Sequence, residues 1–280
     1  MRAPFIRQTG FTLIEMIVVI VITGIIAGIV AIFIRAPVQG YADSARRAEL
    51  TDIADIAVRR LARDVRTAVP NSVILSGACP ACAVEYLPTK DGGRYRADAP
   101  GLVLDFGAAD ADGKFDIIGT AIDFAAGAKP DYIVIGSTQS DAGPPYLQTA
   151  AGVLRQYTGA AGAQTTVTFT NTALPVWAEL PSQRFDVVDG AQQAVTYACE
   201  GVGTVNGTGT GSLVRHWGYG FDHTFGVGDP SAVLADRVSA CNMSYAIANQ
   251  RFGLLTVRLT LSSEGESVSL YNEIHVNNVP

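Results

Sequence analysis

Between Phe11 and Ile34 the chain runs for 24 residues in which only Thr12, Glu15 and Thr23 are polar apart from glycines. As a helix rising about 1.5 Å per residue, such a run spans roughly 36 Å, enough to cross the roughly 30 Å hydrocarbon core of a bilayer. Arg2 and Arg7 precede it and no acid does, which predicts a cytoplasmic N-terminal tail and an outward-facing remainder. A secretory signal peptide has a shorter apolar region closed by a small-residue cleavage site. This run has no such site and is expected to be kept. Gly24 and Gly28 form a G-x-x-x-G, extended by Ala27 and Ala31, which either permits close helix–helix approach or reflects the general abundance of glycine in membrane helices.

Glu15 is the anomaly. A carboxylate at mid-span is unfavourable by roughly 2.5–3.5 kcal/mol and usually has a partner. It lies only about 6 Å beyond Phe11 along a helix axis, so it either reaches the interface unaided or meets a cation. The segment RQTGFTLIEMIVVIVITGIIA, with its basic leader, Gly10, Phe11-Thr-Leu-Ile-Glu15 and apolar span, resembles the N-terminus of type IV prepilins and of the pseudopilins of type II secretion. The resemblance implies cleavage between Gly10 and Phe11 by a prepilin peptidase, N-methylation of Phe11, and an assembly role for Glu15. Its carboxylate would pair with the α-amine of a neighbouring subunit, which is cationic below a pKa of about 8. A Glu15 kept in this position implies a sub-tip place in a filament, with another subunit above.

Beyond the span, Leu50, Ile53, Ala57, Leu61, Val65 and Ala68 recur at helical spacing on one face. The pairs Asp43–Arg47, Asp55–Arg59 and Arg60–Asp64 fall at i,i+4 on the others. These charges read as a solvated face or as a contact surface for partner helices. Pro37 is expected to kink the helix or mark a boundary, and Pro70 with Asn71 to end it.

From residue 72 onward the texture is β-rich, with short strands at Val84–Leu87, Tyr95–Ala97, Leu102–Phe106, Tyr132–Ile135, Leu154–Tyr157, Thr166–Phe169, Arg184–Val188, Val195–Cys199 and Ser212–Trp217. Period-two alternation from Leu255 to Leu261, and again from Val268 to Val276 after the polar SSEGE, signals a closing hairpin with a five-residue loop. The expected class is α+β, a long N-terminal transmembrane and amphipathic helix packed on an antiparallel sheet, which is also the pilin architecture. The expected divisions are a leader at 1–10, the helix at 11–69 (11–34 in the membrane) and a periplasmic head at 70–280.

Four cysteines behind a membrane span favour disulfides, and proximity pairs Cys79 with Cys82 and leaves Cys199 for Cys241. The C-x-x-C lacks the βαβ surroundings of a redox motif, and a four-cysteine zinc site lacks its second short-spaced pair. DFGAADADGKFD superficially matches a calcium loop, but Ala108 and Gly119 occupy its first and last ligand positions. His216, His223 and His275 show no metal spacing, and no G-x-S-x-G elbow occurs. No cofactor, metal or catalytic constellation is expected, and a net charge of −6 argues against nucleic acid as a partner.

RFDVVDGAQQAVTYACEGVGT, SLVRHWGY, SACNMSYA and the closing GLLTVRLTLSSEGESVSLYNEIHVNNVP resemble minor pilins of the mannose-sensitive haemagglutinin pilus type. They also resemble the larger, J-type minor pseudopilins. With the N-terminal motif, this likeness covers residues 8–75 and 184–280. It implies a non-catalytic subunit held in the inner membrane before joining a surface pilus. Its partners would be prepilin peptidase, other minor and major pilin subunits, an inner-membrane assembly platform and membrane lipid. A single-span anchor carrying a periplasmic binding or adhesive domain is the rival from another class.

Overall fold

The computed structural model describes residues 10–107, 113–138, 143, 145–170, 173–249 and 251–280, with 248 and 249 described by their backbone alone. Arg2, Arg7 and the leader up to residue 9, like the acidic turn containing Ala108, Asp110 and Asp112, lie outside the described residues. Two compact units emerge, one ending at Glu49 and one running from Leu50 to Pro280.

A single helix, α1, covers Leu13–Arg66. Pro37 lies inside this run and does not mark a boundary. In the first unit every residue from Gly10 to Tyr41 is exposed, and no membrane is present to cover them. In the second unit the amphipathic face is complete. Leu50, Ala54, Ala57, Val58, Leu61, Ala62 and Val65 are buried, with Ile53 partly so.

The helix stops three residues before the expected limit at Val69. The backbone there tightens, with Thr67 N–H donating to Asp64 O at 3.1 Å and Ala68 N–H to Val65 O at 3.1 Å. It then switches to sheet-like pairing, with Val69 N–H donating to Leu87 O and Thr89 N–H to Thr67 O. Pro70 has no N–H to continue a helix.

The expected pair of Asp55 and Arg59 forms at 2.7 Å, and Arg46 meets Asp43 at 2.9 Å. Asp64 turns instead to the sheet. It accepts from Tyr197 Oη at 2.6 Å and lies 3.5 Å from Arg215 Nε.

That sheet has seven strands, and their order in space follows their order in the chain: Ile74–Ser76, Ala83–Tyr86, Val195–Glu200, Gly211–Trp217, Ser231–Asn249, Phe252–Ser263 and Glu266–Asn277. Every pairing in it is antiparallel. Leu213, Leu255, Val257, Leu259, Leu261, Ile274 and Val276 form one core with the buried helix face. The closing hairpin is tighter than the sequence suggested. Ser263 pairs with Glu266, leaving a two-residue turn in which Glu264 (φ 50°) and Gly265 (φ 90°) are both left-handed. A turn of that kind matches the twist of the flanking strands.

Residues 87–194 leave the first sheet after Ala83–Tyr86 and return to it at Val195, which pairs directly with Tyr86. They build a second, six-stranded sheet in the order Leu154–Gln156, Tyr132–Ile135, Arg184–Val188, Thr89–Tyr95, Lys114–Ile118, Thr166–Thr168. Its core is aromatic: Phe115 packs edge-on against Phe185, and Phe124 stacks on Tyr157.

The strand expected at Leu102–Phe106 does not form. Leu104 N–H donates to Arg96 O and Asp116 N–H to Leu102 O from an irregular segment. The strand expected at Tyr95–Ala97 lies instead at Thr89–Tyr95, where TKDGGRY carries no apolar alternation. The 19-residue strand Ser231–Asn249 had no counterpart among the expected strands. The chain is therefore α+β, a long apolar helix and antiparallel sheets, with the helix's second half packed on the first sheet.

Docking of that half is testable. Leu61 is fully buried and Ile56, on the opposite face, is 66% exposed. Leu61→Ala should lower stability by about 2–5 kcal/mol, while Ile56→Ala stays within about 0.5 kcal/mol. Thermal or denaturant melts of the two variants in detergent check this contrast.

Candidate processing and assembly segment

Gly10 is exposed and precedes any regular structure, and Phe11 is 81% exposed. The bond joining them lies two residues before the first helical residue, Leu13. It is therefore free of the hydrogen-bond ladder that would keep a peptide from a protease.

Thr12 caps the helix that follows. Glu15 N–H donates to Thr12 Oγ1 at 3.3 Å, and Thr12 N–H donates to Glu15 Oε2 at 3.4 Å. This is a reciprocal capping box, T-x-x-E, in which two backbone donors left orphaned at a helix start are satisfied by side chains. Its signal stands in the sequence as Thr12-Leu-Ile-Glu15. The carboxylate also lies in the first turn, where the helix dipole favours negative charge. Its other oxygen, Oε1, has no hydrogen-bond partner among the described residues. One carboxylate thus holds its own helix end and keeps an oxygen for something else.

Gly24 and Gly28 are bare. A Cβ placed on either would meet nothing within 4 Å, so any close approach at these positions is to another molecule. The helix is long and apolar enough to cross a membrane, and its most apolar window has no residue buried inside the chain.

Both disulfides lie in the head. Cys79 is joined to Cys82, and Cys199 to Cys241 across 42 residues. The second ties the strand Val195–Glu200 to Ser231–Asn249, two strands that do not pair with each other.

The head also holds a polar cluster that the sequence did not announce. Glu85, buried in the strand Ala83–Tyr86, accepts from Tyr219 Oη at 2.9 Å and from Thr196 Oγ1 at 3.4 Å, and lies 2.6 Å from His223 Nδ1. Its partners lie 111, 134 and 138 residues away. They fasten the loop after Trp217 onto the sheet. Burial pushes the Tyr219 hydroxyl well above its ordinary range, with the Glu85 charge adding to the effect, so it remains a donor at physiological pH. Among the described residues no cluster of His, Cys, Asp and Glu is arranged to hold a metal. His216 is buried in a strand beside Glu200, and His275 lies in the last strand.

Residues 6–31 match the prokaryotic N-terminal methylation motif. No curated protein and no solved structure matches the chain. Over residues 6–31 the chain therefore carries a methylation motif of the prepilin kind.

Replacing Thr12 by Ala removes the hydroxyl acceptor and should destabilise the first turn by about 1 kcal/mol. Amide exchange at Leu13–Met16 in micelles should accelerate about fivefold. Exchange beyond Gly24 should be unchanged.

Proposed function

We propose that this chain is a minor prepilin. Its leader, residues 1–10, is removed between Gly10 and Phe11 by a prepilin peptidase, which then methylates the new Phe11 amine. The helix 11–69 holds the subunit in the inner membrane through residues 11–34, its N-terminus cytoplasmic and its head, 70–280, periplasmic. From there it enters a sub-tip complex of minor pilins through the assembly platform, and a surface pilus grows from that complex. The methylation motif over residues 6–31 carries the reading. The exposed bond before the helix and the wholly uncovered apolar run support it. The unpartnered Oε1 of Glu15 supports an α-amine from a neighbouring subunit as its counter-ion.

The particular system proposed is the mannose-sensitive haemagglutinin pilus. The segments from Arg184 onward resemble MshO, a minor-pilin protein of that system. A J-type minor pseudopilin of type II secretion is the second reading. The observation favouring it is the strand Gly211–Trp217, which carries Leu213-x-Arg215 and is followed by an irregular loop from Gly218 to Pro230. Loss of surface pili after deletion of the gene supports the first reading, and loss of protein secretion supports the second.

Two variants separate the roles of Glu15. Glu15→Gln keeps a residue able to complete a capping box but removes the charge, and should be cleaved normally yet fail to enter filaments. Thr12→Ala removes the cap, keeps the charge, and should still enter them. Mass spectrometry of the mature N-terminus should show N-methyl-Phe11, whereas an intact Met1 would indicate a plain membrane anchor.

A further inference from the structure

The second sheet sets two arginines against each other. In the antiparallel ladder between Thr89–Tyr95 and Arg184–Val188, Arg94 pairs with Arg184, Gly93 with Phe185 and Gly92 with Asp186. Residues paired in this way share a face and stand side by side, and like charges there repel. Neither arginine is ion-paired among the described residues. Arg94 donates to the neutral Gln183 Oε1 at 3.4 Å.

A third guanidinium, Arg66 at the last turn of α1, joins them around one open pocket of about 510 Å³. It too is without an ion pair among the described residues. Thr67, Thr89 and Asn277 add hydroxyl and amide groups to the walls.

The floor is kept low by glycine. A Cβ on Gly92 would come 3.1 Å from Phe185 O and 3.5 Å from Asp186 Oδ1, whereas one on Gly93 would lie on the other face, 3.0 Å from the Phe185 ring in the core. Asp186 is a counter-charge in this wall: burial pushes its carboxyl up to about 6, against the pull of Arg184, which leaves it mostly ionised at neutral pH. In a chain of net charge −6, three exposed guanidiniums outnumber the one acidic side chain in the lining, Asp186, and make the pocket wall cationic.

We propose that this pocket binds the carboxylates of an acidic polypeptide segment, with Arg66, Arg94 and Arg184 as the donors. Planar guanidinium forks match carboxylates two bonds at a time. A single small oxyanion leaves most of the volume empty, whereas successive acidic side chains with the backbone between them fill it. The backbone then meets Thr67, Thr89 and Asn277. The site belongs to the head and does not depend on the filament reading.

The test uses the full chain in detergent micelles with a fluorescein-labelled hexaglutamate peptide, followed by fluorescence anisotropy at low ionic strength. Saturable binding is expected. Arg94→Gln and Arg184→Gln should each weaken it about tenfold or more, as befits loss of a charge-assisted hydrogen bond. Arg59→Gln, on an exposed helix face and paired with Asp55, should leave it unchanged. Binding that survives in the Arg94→Gln/Arg184→Gln double variant overturns the proposal, and so does no binding at all. Inorganic phosphate that binds in an Arg184-dependent way while the peptide does not would overturn the polypeptide assignment.

Discussion

The helix face from Leu50 to Val65 has to be buried, and the seven-stranded sheet is what buries it. A helix of this composition gains little from intrinsic propensity, and most helical stability in proteins comes from packing an apolar stripe. Leu50, Ala54, Ala57, Leu61 and Val65 are fully withdrawn from solvent against strand residues such as Leu213, Val257, Leu259 and Ile274. Tyr197 and Arg215 then reach Asp64 from the same sheet, so a polar pin lies beside the apolar seam. By contrast, every residue from Phe11 to Ile34 is exposed. An apolar surface of that extent is stable only in lipid or against other apolar helices.

The two ends of the protein were legible because each repeats a short period. Spacing near 3.6 marked the helix face from Leu50 onward. Period two marked Leu255–Leu261 and Val268–Val276, where even Asn272 keeps to the inward-facing side of the last strand. The T-x-x-E box was equally visible and equally local. What stayed hidden depends on distance. Thr89–Tyr95 is a strand because Arg184–Val188, about ninety residues later, pairs with it, not because TKDGGRY favours one. Ser231–Asn249 mixes charged, small and polar residues, and bends where Arg237 adopts φ 55° and the register shifts beyond Val238. No periodic template describes such a strand. Glu85 and His223 are anonymous in sequence, and only the fold makes them neighbours.

Residues 87–194 form one excursion from the first sheet. The first sheet can be followed strand by strand, with its spatial and chain orders identical, if residues 87–194 are passed over. The points of departure and return, Tyr86 and Val195, are paired neighbours. An insertion whose ends lie side by side leaves the ladder around it intact, so the helix and first sheet keep their pairing whatever the insert contains. The insert is fixed by more than its ends. Val69, Leu87, Tyr132, Val134, Leu154, Val188 and Ala194 share one core, and Tyr146 Oη donates to Ser72 O.

The helix and first sheet are constrained by each other, since a change to Leu61 or Val257 is felt across the seam. The second sheet is constrained mainly by its aromatic core, so the polar face of its Thr89–Tyr95 and Arg184–Val188 ladder can vary without disturbing the helix. The unpaired arginines occupy that face, with Arg66 at the point where the helix ends and the chain begins its turn toward the insert.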